Sequence, residues 1–161
     1  MLQIAIISAT SHLSIARWTD NKILLLGRAA DNTSLISAGS TSTFIQGATW
    51  HHVLAAWDIG AANVVRMYVD DVSEYVGVRA AAGDIDYTAD TSAGSNIDGT
   101  QKFNGCLAEL YFAQGTYLDI SLVANRRKFR SSSGKPVHLG ADGSLPTGTA
   151  PLVYFHLDNS E

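Results

Sequence analysis

The chain has 161 residues and one cysteine, Cys106, so no internal disulfide, cysteine-rich zinc site or CxxC redox pair can form, and the lone thiol is expected to be buried. Eleven basic against fifteen acidic side chains leave a formal net charge of -4, which offers no field for nucleic acid or an anionic membrane and excludes both as main partners. Charged residues make up 16% of the chain against a typical figure of about 25%, so Ser, Thr, Asn and Gly must carry the surface polarity, as they do on β-proteins.

Period-2 alternation dominates from the start. Segments 2–7, 12–18, 22–27 and 33–37 read as short strands, separated by the turn signals "TDN" at 19–21 and "AADN" at 29–32. The opening stretch has no basic residues before its apolar run, and no later run approaches the ~20 apolar residues needed to cross a bilayer, so neither a secretion signal nor membrane insertion is expected.

In "WHHVLAAWD", 50–58, the alternate sets His51, Val53, Ala55, Trp57 and Trp50, His52, Leu54, Ala56 make both faces largely apolar. A central strand covered on both sides accounts for this, with Trp50 and Trp57 in the core. The two histidines point in opposite directions, so they cannot chelate one metal. After the turn "IGAAN", 59–63, the strand 63–70 puts Val65, Met67 and Val69 on a core face and leaves Arg66 and Tyr68 as exposed candidates for recognition. With Tyr75 and Tyr87 they form a set suited to a sugar, whose apolar face needs an aromatic platform with planar polar groups beside it. Trp18, before the "TDN" turn, fits core or surface.

The loop-rich segment "GDIDYTADTSAGSNIDG" concentrates Asp84, Asp86, Asp90, Asn96 and Asp98, hard oxygen ligands of the kind calcium takes. Solvated turn formers are the plainer reading. Further on, 118–129 has Leu118, Leu122 and Phe129 at helical spacing, Asp119 or Ser121 as an N-cap, and basic residues towards its end, predicting one short helix. "RRKFR", 126–130, would suit a phosphate or an acidic glycan, or is simply a solvated helix end. Residues 131–161 read as a loop punctuated by Gly134, Pro136, Gly140, Gly143 and Pro146, including the turn "GADG" at 140–143, then a last strand over 150–157 within one domain, 1–161.

Catalytic signatures are missing. A retaining glycosidase needs two carboxylates about 5–5.5 Å apart, yet the only glutamates are Glu74, Glu109 and Glu161, with no pair at i,i+2 or i,i+4. There is no G-x-S-x-G elbow, and Gly134-Lys135-Pro136 lacks both the upstream glycine and the Ser or Thr of a P-loop. No catalytic residue is assigned.

The succession "TWHHVLAAWD", "VVRMYVDDV", "FNGCLAELYF" and "YLDISLVANRRKF", about 45–130, resembles the laminin-G-like, concanavalin A-type domains, in which a Trp-His-Val strand with an optional second His, a hairpin strand ending in Tyr-Val-Asp-Gly and a Gly-x-Ile-Asp-Glu-Val strand recur in that order. Asp71 stands where such domains usually carry the turn glycine. The resemblance implies an all-β, antiparallel two-sheet jelly roll with a bulge at Ala108 and Glu109. It also implies carbohydrate or protein recognition without turnover, and calcium at the sheet rim. The tail "NRRKFRSSSGKPVHLGADGSLPTGTAPLVYFHLD" is similar to the end of such domains in tailed-phage and prophage virion proteins. That likeness implies a virion protein assembled in the host cytoplasm, in a tail, fibre or capsid decoration. Its partners would be a glycan or host-surface receptor and other virion subunits, the alternative being a purely structural component. Because such domains usually have a longer N-terminal region, Leu2 to Ile7 is expected to present an unpaired edge, for which a homo-oligomer would provide the partner.

Overall fold

A computed structural model of the chain describes residues 3–7, 12–45, 47, 49–87, 91–95, 98–100 and 102–156. It divides into two compact units, Met1–Gly105 and Cys106–Glu161. The first holds β1 (Gln3–Ile7), β2 (His12–Arg17), β3 (Ile23–Arg28), β4 (Ser34–Gly39), β5 (Val53–Asp58), β6 (Val64–Val69), β7 (Val72–Gly77) and β8 (Thr91–Ala93). The second holds β9 (Glu109–Phe112), the single-turn helix α1 (Val123–Arg126) and β10 (Val153–His156). Every strand pairing is antiparallel, in a five-stranded sheet β4-β3-β2-β1-β8, a three-stranded sheet β5-β6-β7 and the pair β9-β10. This is the architecture of the predicted sandwich, mostly β with one short helix.

Side-chain alternation decides which faces meet. In β3, Ile23, Leu25 and Gly27 are buried while the residues between them are half-buried, the pattern of a strand with one core face. Ile23 packs against Met67 and Val69 of β6, and Ile15, Phe44, Val53 and Tyr75 close around them, so this cluster joins the two sheets of the first unit. Val65, Met67 and Val69 are buried as predicted.

The turns owe their shape to residues that tolerate a left-handed backbone. Asn21, Asn32 and Asn63, the last residues of "TDN", "AADN" and "IGAAN", have φ of 65°, 67° and 48°. The two-residue turn between β6 and β7 has φ of 51° at Asp70 and 72° at Asp71, the pair of positive values a type I′ hairpin requires.

Several expectations are corrected. β1 pairs with β2 on one side and, over residues 4–6, with β8 on the other, so it is an interior strand and not the open edge expected. β5 is an edge strand, paired only with β6 among the described residues, and Val53 and Trp57 are half-buried rather than enclosed. Trp50 lies in the loop before β5, where strand parity no longer assigns a face, and is 62% exposed. Cys106, expected to be buried, is exposed just ahead of β9. The register of β9 with β10 is regular from Glu109 to Phe112, so no bulge occurs at Ala108 and Glu109; irregularities fall at Gly27/Arg28 and Met67/Tyr68.

The helix is shorter than the predicted 118–129. Its N-cap is Leu122, with no side-chain cap, because Asp119 instead accepts bonds from the amide and hydroxyl of Ser121 in a turn upstream. Arg126 is buried and its guanidinium donates to the carbonyls of Ile120 and Ser121, while Lys128 donates to the Pro146 carbonyl. Two of the cations in "RRKFR" are therefore structural fasteners, and the solvated helix end is not what forms. Among the described residues no helix is long and apolar enough to cross a membrane.

Candidate functional site

The recognition set read from the sequence does not form one exposed face. In the three-stranded sheet Met67 lies opposite Ala55 and Tyr75, placing Tyr75 on the core face. Arg66 lies opposite Ala56 and Val76 on the other face and is half-buried. Tyr68 is 9% exposed. In β7, Tyr75 pairs with Met67 and Ser73 with Tyr68, so Glu74 is an extra residue that breaks the alternation and brings Tyr75 to the core face. Tyr87 accepts a hydrogen bond of 3.0 Å from the indole N–H of Trp57, and burial raises its phenol above the usual range despite that bond. Trp57 and Tyr87 are thus brought together, as a half-buried pair.

The acidic segment is equally dispersed. Asp84 and Asp86 are exposed on either side of buried Ile85. Asp98 uses one oxygen to accept from both the amide and the hydroxyl of Thr100. Asp90 and Asn96 lie outside the described residues. Among the described residues no group of three or more His, Cys, Asp or Glu side chains could hold a metal ion.

A different constellation does assemble, at the loop rim of the first unit. Three segments build it: the β2–β3 turn, the loop after β4 and the β6–β7 turn. Phe44 is the junction. Its amide donates to the Asn21 carbonyl at 2.7 Å, its carbonyl accepts from Arg17 Nε at 2.7 Å, and its ring meets His51 edge-on at 5.1 Å between centroids. Arg17 also bonds the side chain of Asn21. His51 Nδ1 lies 2.6 Å from Asp70 Oδ2, and the other oxygen of Asp70 accepts from the His52 amide at 3.0 Å. In these segments Trp18, Ile45 and Trp50 are exposed, Ile45 by 73% and Trp18 by 46%, as is Val72 at the start of β7.

The loop that supplies Phe44, Ile45 and Trp50 is tied down at its root. Ser40 Oγ accepts from the Ile23 amide and donates to the Ser42 carbonyl. Glu74, 4% exposed, receives Thr41 Oγ1 at 2.7 Å and the Ser42 amide at 2.9 Å. Burial by itself would raise this carboxyl, but the bonds from Ser42 and Thr41 outweigh it and hold the group below its usual range.

Residues 2–116 match the family model of the concanavalin A-like lectin/glucanases superfamily. The chain belongs to that superfamily. No curated protein and no solved structure shows significant similarity to it. Laminin-G-like, concanavalin A-like domains are generally binding modules, and the superfamily points to carbohydrate as a ligand class.

For a member of this superfamily the rim has suitable chemistry. Exposed indoles offer flat apolar platforms, and a histidine, carboxylates and backbone groups beside them can hydrogen-bond hydroxyls. The described glutamates are otherwise engaged: Glu74 is enclosed by its donors, and Glu109 lies 3.3 Å from His156 across the β9–β10 pair. The sequence reading missed Trp50 because it extended the strand alternation of 53–58 back to residue 50. The Ser/Thr-rich "STST" at 40–43 was the available sign that a loop, not a strand, leads up to it.

Proposed function

We propose that this chain is a non-catalytic carbohydrate-binding module of a phage or prophage virion, assembled in the host cytoplasm and recognising a glycan or glycan-bearing host receptor through the rim around Trp18, Trp50 and the His51–Asp70 pair. The observation that carries the reading is Trp50, a large aromatic left 62% exposed next to a fixed hydrogen-bonding pair. An exposed indole has no packing role to explain it, whereas stacking on a pyranose ring uses its whole face. The non-catalytic part rests on the lack of a carboxylate pair and on the structural engagement of Glu74 and Glu109. The virion setting rests on the likeness of the C-terminal tail alone. Homo-oligomeric display beside other virion subunits belongs to the same proposal, because repeated copies raise the avidity of a weak sugar site.

A glycan array with wild type and Trp50→Ala tests the binding. Wild type should give saccharide-dependent signal that falls about tenfold or more in the variant, as for an aromatic hot spot. Its urea midpoint should stay put, since the substitution is at the surface. Immunogold labelling of purified particles tests the location, and sedimentation tests the assembly. A wild-type array without signal, from a chain that does label particles, would replace this reading with that of a structural virion component.

A further inference from the structure

We infer that Glu74 is a positioning residue for the rim, fixing the loop that carries Phe44, Ile45 and Trp50 in its binding geometry; this rests on reading the rim as the glycan site. Three observations converge. First, Glu74 is the extra residue of the β7 irregularity, inserted between Ser73 and Tyr75, and it is buried at 4% exposure. Secondly, its carboxylate accepts bonds from consecutive residues of one loop, Thr41 and Ser42, 33 and 32 positions away in sequence. Thirdly, the same loop is held from the other side by Phe44, through the Asn21 carbonyl and Arg17. The carboxylate is therefore an anchor at the root of the loop, beside Ser40 and opposite Phe44. A buried acceptor with no donors of its own suits a site lined by an amide and a hydroxyl. Both donors meet one oxygen, Oε2, so glutamine leaves them at best a neutral amide oxygen, a weaker acceptor than the carboxylate.

The test compares Glu74→Gln, Thr41→Val and a core control, Val65→Ala, which lowers stability away from the rim. Amide hydrogen exchange at Ser42 and Phe44 reads the loop, and an array of neutral and acidic oligosaccharides reads binding. Glu74→Gln should speed exchange at both amides and lower the array signal, each by about tenfold. Thr41→Val, which removes one donor at an exposed position, should move both in the same direction by less. Val65→Ala should leave the array signal of the folded protein at the wild-type level, which separates positioning from a merely structural loss. Exchange unchanged in Glu74→Gln, or raised exchange with unchanged binding, overturns the inference while leaving the glycan reading standing. A wild-type array with no signal overturns both.

Discussion

Truncating Met67 to Ala examines whether the two sheets of the first unit are held as described. Met67 is fully buried on β6, opposite Ala55 and Tyr75, in the cluster that joins Ile23 of the facing sheet. Removing its side chain beyond Cβ forfeits burial worth roughly 2 kcal/mol at about 0.8 kcal/mol per methylene-sized group. A void of roughly 50 Å³ adds about 1 kcal/mol at ~24 cal/mol per Å³, since the close-packed surroundings relax only in part. The total, about 3 kcal/mol, is a large share of the roughly 5–15 kcal/mol by which domains are stable. Urea unfolding followed by tryptophan fluorescence should show the midpoint falling with little change in slope. Val76→Ala, on the exposed face of β7, is the control and should cost no more than about 0.5 kcal/mol. A loss below about 1 kcal/mol for Met67→Ala would refute the reasoning, because a side chain with no solvent exposure at a sheet-to-sheet seam cannot be so cheaply removed.

Asp71→Gly should stabilise the fold by up to about 1 kcal/mol, since φ of 72° strains a residue with a Cβ and suits glycine at the second position of a type I′ turn; a lowered thermal midpoint would count against that account. Acid should destabilise the protein in two steps. His12 is held below its usual value by burial and then by Arg28, directly opposite in β3, so its contribution is present above about pH 6.5 and is lost as pH falls through the lowered folded value. Glu74, also held low, contributes above about pH 4.5 and is lost on further acidification, so Glu74→Gln should flatten the lower step and His12→Gln the upper one in urea titrations at successive pH values. Arg126→Ala should cost about 1–3 kcal/mol by leaving the Ile120 and Ser121 carbonyls without their buried donor; an unchanged urea midpoint would mean those bonds are dispensable.

The strands were the legible part of this chain. Val65, Met67 and Val69 could be assigned to the core because alternation within a strand is a direct consequence of backbone geometry, and Asn21, Asn32 and Asn63 fell where the turn signals placed them. What escaped was whatever depended on where alternation stops. Trp50 was given a face by a pattern that begins only at Val53. Tyr75 reaches the core face because a one-residue irregularity at Glu74 reverses the parity beyond it, whereas Tyr68 keeps the face opposite Met67 and is buried there all the same. Arg126 looked like a solvated helix end because its partners are main-chain carbonyls, and no side-chain pattern announces those.

The same limit explains why the site lies where it does. A strand face is committed to the core or to a regular surface, whereas a rim can hold an apolar side chain in water only if its backbone is fixed by something else. Here Asn21 and Asp70 serve twice. Each takes a left-handed backbone that closes a hairpin, and each also accepts a bond that fixes a rim segment: Asn21 from the Phe44 amide, Asp70 from the His52 amide. Phe44 and His51 then join the two turns ring to ring. Turn formation and site formation are thus one set of interactions, which anchors the segments that carry Trp18 and Trp50 without burying either. Rigid aromatic platforms bind with less loss of side-chain entropy than mobile ones. On this argument Asn21→Gly, which keeps the backbone conformation and removes the bond to Arg17, should weaken glycan binding more than it weakens the fold.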